Sequence, residues 1–133
     1  MKKSINFIIA KSLGLYINFL SFVFPKKAIK LAYKFFSEPR EGRLKTTFIP
    51  TLLKEASQEF LTLDSYLFPV YVWKGNETKI LLVHGWESNA ARWESFFPYL
   101  RKSGSTIIAL DGPAHGLANG KEFSVPIYAK FLN

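Results

Sequence analysis

Two short glycine-containing stretches hold the residues whose types could do chemistry. One is His84-Gly85-Trp86, and the other is Asp111-Gly112-Pro113-Ala114-His115-Gly116. Together with Ser88, the residues Asp111 and His115 could form a compact Ser–His–Asp set, because such triads are defined by geometry rather than by chain order. His84 is a further candidate base.

Each of these stretches follows an apolar run that predicts a strand. Residues 80–83, within a strand 79–84, form an unbroken apolar run typical of a strand buried on both faces. Residues 105–110 predict the next strand, and residues 90–103 between them have helical spacing. Strand, helix and strand make a βαβ unit with a right-handed crossover. Both stretches therefore lie at the carboxyl ends of parallel strands, where functional residues gather in open α/β sheets.

The two loops flanking a helix of this length resemble the amino-terminal half of an α/β-hydrolase, over residues 59–133. The resemblance implies that Trp86 lends its backbone N–H to the oxyanion hole, and that residues 111–116 form a structural turn beside the pocket. It also favours a structural role for His84, which would hold its loop by hydrogen bonds, over a role as base. The family's nucleophile lies further on, in a G-x-S-x-G elbow, and its acid and histidine come later still. No G-x-S-x-G occurs here. We therefore predict an incomplete hydrolase domain that holds no catalytic residue and is inactive by itself.

The resemblance also implies a chemistry and a sheet order. The parent would hydrolyse an ester, amide or similar bond of a small-molecule substrate with a serine nucleophile, although relatives with this fold use aspartate on epoxides and haloalkanes. In the family, strand 79–84 lies between strand 105–110 and the strand that bears the nucleophile. Without the latter, one edge of residues 80–83 is unpaired, and an exposed apolar edge predicts self-association.

Composition excludes several classes of function. The chain has no cysteine, and its two histidines lack metal-ligand spacing, so we expect no metal site and no cofactor. The net charge of +8 belongs to residues 1–45, which hold ten basic residues and only Glu38 and Glu41 as acids. Such asymmetry indicates a membrane surface or nucleic acid. Nucleic acid is disfavoured, because the lysines lie on apolar helices and no nucleic-acid motif is present.

The amino-terminal segment predicts two helices. Residues 4–24 are apolar except for a narrow polar stripe, which favours a helix that lies in a membrane interface or is covered by protein; a spanning anchor and a signal peptide remain alternatives. Pro25 ends this helix. Residues 26–36 form a second helix with Lys27, Lys30 and Lys34 on one face, suited to anionic lipid or simply solvated. We expect a cytoplasmic protein that is peripheral on the membrane.

The remaining segments complete the predicted organisation. Residues 37–47 read as a linker, which separates a basic helical segment (residues 1–45) from the hydrolase-like part (residues 46–133). A short helix (50–56), two hairpin strands (59–63 and 66–73) and a polar turn (74–78) follow. Pro69 predicts that the second hairpin strand lies at an edge or carries a bulge. Ser124 is the expected N-cap of a final helix, with Pro126 in its first turn.

These elements predict the α/β class: a partial α/β-hydrolase sheet, made of an antiparallel hairpin and one βαβ unit, preceded by an amphipathic helical segment. The competing functional interpretation is a non-enzymatic, membrane-associated protein built on a hydrolase-like scaffold.

Overall fold

The structure is a computed structural model that describes the backbone of residues 2–132 and the side chains of residues 7–132. The chain forms two compact units, Met1–Ser37 and Glu38–Asn133. The first unit is helical, and the second contains the whole sheet.

In the first unit, helix α1 (Lys2–Val23) packs against helix α2 (Pro25–Ser37). Pro25 opens α2, where its missing N–H is not needed. Both predicted helices are therefore present, with bounds within two residues of those expected. Among the described residues, no helix is long and apolar enough to cross a membrane.

The second unit is built on a four-stranded mixed sheet. After the short helix α3 (Thr51–Lys54) come the strands β1 (Ser57–Leu63), β2 (Tyr66–Trp73), β3 (Asn76–Leu82) and β4 (Ser105–Leu110), which lie in the order β1-β2-β4-β3. The β1–β2 and β2–β4 pairs are antiparallel, whereas β3 and β4 are parallel. The predicted α/β class, with a hairpin and a βαβ unit, is confirmed. Within residues 2–132, β3 pairs only with β4 and so forms an edge of the sheet.

The segment expected to be a polar turn, residues 74–78, is largely part of β3. The Asn76 N–H donates to the Gly104 carbonyl at 2.7 Å, and the Gly75 N–H donates to the Thr106 hydroxyl at 3.0 Å. These bonds extend the ladder to the amino-terminal end of β4. The pairing of β3 with β4 shifts register between Asn76 and Lys79. The spacing of apolar residues does not indicate this shift.

The expectation that Pro69 marks an edge strand or a bulge is wrong, because β2 lies inside the sheet. Pro69 stands opposite Phe60 on β1, and the ladder from β2 to β4 begins one residue later, at Val70 and Leu110. The Pro69 carbonyl accepts from the Asp111 N–H at 3.3 Å. The proline nitrogen thus faces the point where β4 has ended, and no ladder bond is lost there.

The predicted crossover helix, residues 90–103, is broken into a 3₁₀ turn (Ala90–Trp93) and helix α4 (Phe97–Lys102). Pro98 explains the break, because it has no N–H to bond the Glu94 carbonyl. The break separates the environments of two neighbouring aromatic residues: Phe97 is 4% exposed, but Phe96 is 61% exposed. Phe96 therefore does not belong to the core.

Apolar side chains cover both faces of the sheet. One cluster centres on Tyr71, Trp73 and Ile107, packed with residues of α3 and α4. The other contains Phe68, Leu110 and Tyr128, the last of them on helix α5 (Val125–Phe131). The Ser124 hydroxyl caps α5 by accepting from the Ile127 N–H at 3.4 Å, as the sequence predicts. These two layers fix the strand ends from which the candidate loops emerge.

Candidate functional site

Two loops meet at the carboxyl ends of β3 and β4. We call residues 83–89 the first loop and residues 111–120 the second loop. Because the two strands are parallel neighbours, their loops leave the sheet at the same end of the strands. At this end of the sheet the structure brings together all of the sequence-predicted residues: His84, Gly85, Trp86, Asp111, His115 and Gly116.

Asp111 is the hub of the second loop. Its side chain is fully buried, and its Oδ1 accepts from the Ala90 N–H at 2.9 Å. Its Oδ2 accepts from the Leu117 N–H at 2.9 Å and from the Tyr71 hydroxyl at 3.1 Å. Burial raises the pKa of Asp111, and these three hydrogen bonds oppose the rise by stabilising the carboxylate. The carboxyl group thus joins β2, the start of the crossover and its own loop.

The two histidines tie each loop to the other. His84 Nε2 accepts from the Gly112 N–H of the second loop at 2.8 Å, and His115 Nε2 accepts from the Glu87 N–H of the first loop at 2.9 Å. Each Nδ1 donates to a nearby carbonyl, that of Gly85 at 2.8 Å and that of Pro113 at 2.9 Å respectively. These partners assign the same neutral tautomer to both rings. Burial lowers the pKa of both, so both are neutral at pH 7.

This arrangement does not form the compact Ser88–His115–Asp111 triad. His115 Nδ1 faces the Pro113 carbonyl rather than Asp111, and its Nε2 is occupied by the Glu87 N–H. Ser88 is 9% exposed and lies under the backbone of Gly42, because a Cβ built on Gly42 would come 2.7 Å from the Ser88 nitrogen. A hydroxyl in that position has neither a base beside it nor an open approach.

Gly85 marks neither a close contact nor a positive φ. A Cβ built there would meet no atom within 4 Å, so the loop is open at this point. The sharp turn instead falls at Glu87, whose φ is 49°. Beside it, the Trp86 indole packs edge-on against the rings of His115 and Phe123, with centroids 5.8 and 5.7 Å away. Trp86 keeps 40% of its surface exposed.

Gly116 is a glycine that close packing requires. Its φ is 48°, and a Cβ would lie 2.0 Å from Asp111 Cγ. No other residue type fits at this position without moving the carboxyl group.

The segment 40–44, expected to belong to a linker, clamps both loops. The Gly42 carbonyl accepts from the Gly116 N–H at 2.8 Å and from Asn89 Nδ2 at 3.1 Å. The Arg43 guanidinium donates to the Ala118 and Gly120 carbonyls. The sequence did not predict this role, because a backbone carbonyl can belong to any residue type. The only indication was a glycine within a polar stretch, and its φ in the structure is 85°.

Tyr128 is a second residue that the sequence did not single out. Its ring lies 5.4 Å from that of His84 and would be 2.9 Å from a Cβ on Gly112. Burial raises the pKa of its hydroxyl, and a hydrogen bond from the His84 backbone opposes the rise. Tyr128 therefore closes the apolar side of the two loops. In the described part of the chain, no three metal-ligating side chains cluster.

Comparisons with known proteins give a likeness of fold. A scan against protein-family models finds no match, and a search of curated protein sequences finds none either. Among solved structures, the chain is similar to a thioesterase domain from the curacin biosynthetic pathway, with a TM-score of 0.51 and 20% sequence identity. The match covers 58% of this chain and 30% of that chain. It also matches an esterase of Pyrococcus furiosus, with a TM-score of 0.49, 21% identity, 71% of this chain and 41% of that one covered. The chain thus shares part of the fold of the thioesterase domain, and it covers less than half the length of either neighbour.

Proposed function

We propose that the second unit is the amino-terminal framework of an α/β-hydrolase that cleaves an ester, amide or similar bond through a serine nucleophile. In this proposal the backbone N–H of Trp86 is one donor of the oxyanion hole. The observation that carries the proposal is the pair of mutually locked loops beside the open edge of β3.

The position of β3 supports a framework role. The order β1-β2-β4-β3 leaves β3 with one paired side among the described residues. In the family that the sequence resembles, the strand with the nucleophile pairs with this edge. A strand added there would end beside His84, Gly85 and Trp86, at the same end of the sheet as both loops.

The surroundings of Trp86 suit stabilisation of a developing oxyanion. Acyl transfer places negative charge on an oxygen, and a preorganised backbone N–H aimed at it contributes roughly 3 kcal/mol. The backbone that follows Trp86 is fixed in place, because the Glu87 N–H donates to His115 and the Ala90 N–H donates to Asp111. The open space over Gly85 leaves room for a substrate group next to this backbone.

The residues present do not supply the remaining chemistry. Both histidines use both ring nitrogens within the loops, and Ser88 has no base beside it. A nucleophile, an acid and a catalytic histidine would have to come from other residues. We therefore propose that these 133 residues alone are catalytically inactive.

The first test is ester turnover by this chain. Activated esters such as p-nitrophenyl acetate, and an activated thioester, should be hydrolysed no faster than by a generic protein of equal concentration. Ser88→Ala should behave identically, and a fluorophosphonate probe, which labels activated serines, should not label the chain. A specific turnover that disappears in Ser88→Ala would contradict the proposal and restore the compact triad.

The second test addresses Trp86 in the native polypeptide that carries these residues. Trp86→Pro removes the backbone N–H and should lower kcat by roughly 10²- to 10³-fold, because one oxyanion donor is lost. Trp86→Phe is the matched control, since it keeps the N–H and removes only the indole; its kcat should stay within a few-fold. Equal losses in both variants would show that the side chain, not the N–H, matters.

The alternative is a non-enzymatic, membrane-associated protein on the same scaffold. The exposed apolar and basic surface of the first unit favours it. A native polypeptide that hydrolyses none of these esters and thioesters would support this alternative, provided that Trp86→Pro does not change its other properties.

A further inference from the structure

Helix α1 exposes an apolar face to solvent. Ile8, Leu15, Phe19 and Phe22 are 62%, 71%, 64% and 88% exposed. Their spacings of seven, four and three residues place them on one side of a helix with 3.6 residues per turn. Four large apolar side chains in a row form a patch that water-exposed surfaces normally avoid.

This exposed face is not the one that packs within the unit. The half-buried side chains of α1 include Leu13, Ile17 and Leu20, spaced as a separate stripe. At about 100° per residue, the two sets lie on opposite sides of the helix. The polar residues Lys11, Asn18 and Ser21 lie between them on one flank. Packing against α2 therefore explains one apolar face of α1 and leaves the other without an explanation.

Helix α2 presents a second exposed apolar face next to lysines. Ile29, Tyr33 and Phe36 recur at helical spacing and are 68%, 50% and 81% exposed. Lys26 and Lys30 border this face on the helical projection. Long lysine side chains beside an apolar face can lay their methylenes on it and extend their charge beyond it.

The charge of the unit identifies the complementary partner. Residues 1–37 contain seven lysines, no arginine and no acidic residue. Two of the lysines lie above aromatic rings: Lys11 Nζ is 4.7 Å from the Phe7 ring centroid, and Lys27 Nζ is 4.9 Å from that of Phe24. A surface that is apolar and purely cationic matches a bilayer interface with anionic headgroups.

We propose that the first unit docks on anionic lipid bilayers, with the exposed faces of α1 and α2 inserted at the headgroup boundary and the lysines at the lipid phosphates. The helices lie in the interface rather than across it, in accord with the finding that none in the described part of the chain is long and apolar enough to span. This inference is independent of the hydrolase proposal, because it uses no residue of the second unit.

The test is co-sedimentation of the whole chain with vesicles. Vesicles of phosphatidylcholine mixed with phosphatidylglycerol should bind the chain, and phosphatidylcholine alone should bind it at least tenfold more weakly. High salt should weaken binding to the anionic vesicles, because it screens surface charge. Equal binding to both kinds of vesicle would overturn the charge argument.

Matched variants locate the surface. Phe19→Ser with Phe22→Ser should weaken binding by tenfold or more, because two large side chains no longer enter the interface. Phe48→Ser is the control, since Phe48 is 75% exposed but belongs to the second unit; binding should not change. Replacing Lys26 or Lys30 by Gln should cost about fivefold each. Circular dichroism verifies that the variants keep their helices.

Other occupants of this surface give distinct results. If light scattering without vesicles shows an oligomer that Phe19→Ser with Phe22→Ser dissociates, and vesicles do not bind, the partner is a second copy and the proposal fails. Binding that survives high salt and alkaline extraction would indicate a spanning helix and would equally overturn it.

Discussion

His115 and His84 are neutral hydrogen-bond acceptors whose bonds depend on pH. Burial lowers the pKa of His115, the Pro113 carbonyl and Asp111 raise it, and His84 and Arg43 lower it. In the unfolded chain histidine titrates near 6.5. Between that value and the lower folded pKa, the unfolded state binds more protons. The stabilisation is therefore complete above pH 6.5 and decreases as the pH falls through this window.

We predict that His115→Gln flattens this acid-side decline. Glutamine can keep an acceptor near the Glu87 N–H but does not titrate, so the slope of unfolding free energy against pH should drop by up to about 1.4 kcal/mol per pH unit. Denaturant melts from pH 7 to pH 5 measure it. Asp111, with its raised pKa, acts in the opposite direction. Because His115 lowers the pKa of Asp111, the variant should raise that pKa further, which also reduces the slope. Parallel curves for the two proteins would disprove the assignment.

At the scale of elements, the segment 40–44 acts as a clamp on two loops that are distant in sequence. Gly42 has a φ of 85°, and a Cβ there would come 2.7 Å from the backbone of Ser88. Because the neighbour is backbone rather than a flexible side chain, the segment must shift to accept any other residue.

We predict that Gly42→Ala lowers the unfolding free energy by roughly 1–3 kcal/mol, through strain at positive φ. Hydrogen exchange should show faster exchange at the Gly116 and Leu44 amides, which bond across this contact. Gly85→Ala is the matched control, because a Cβ at Gly85 meets nothing within 4 Å; it should change stability by less than about 0.5 kcal/mol. Similar losses in both variants would refute the clamp.

The elements also show how far the sequence predicts this fold. Strand and helix identities followed from local apolar patterns, and the meeting of His84 with the second loop followed from the rule for parallel strands. The break before Pro98 was missed, because apolar spacing continues across it. The interior place of β2 depends on pairing with β4, and the clamp on Gly42 depends on main-chain carbonyls. Both features depend on main-chain hydrogen bonds between residues distant in sequence, and a local pattern of residue types does not indicate such bonds.

For the molecule as a whole, the open edge of β3 should control association. Leu81 and Val83 are 47% and 38% exposed beside main-chain groups that have no strand partner among the described residues. We predict that the isolated chain self-associates through residues 80–83 at roughly tens of micromolar, as exposed apolar edges do. Size-exclusion chromatography with light scattering, and hydrogen exchange at these amides, measure it.

Leu81→Lys should shift the chain toward monomer, since a charge on an edge strand opposes pairing. Leu61→Lys is the control: Leu61 is 42% exposed on β1, at the opposite edge of the sheet. A wild-type monomer with a cooperative melt and protected amides at residues 80–83 would disprove the open-edge prediction.

The reciprocal bonds of the two histidines have a consequence for motion. Each loop holds the acceptor for an amide of the other, His84 for Gly112 and His115 for Glu87. Swinging either loop away breaks both bonds and leaves one buried and one partly buried donor unsatisfied, at a cost of several kcal/mol. We therefore expect the state with one loop open to be rarely populated, and the two loops to move together rather than separately.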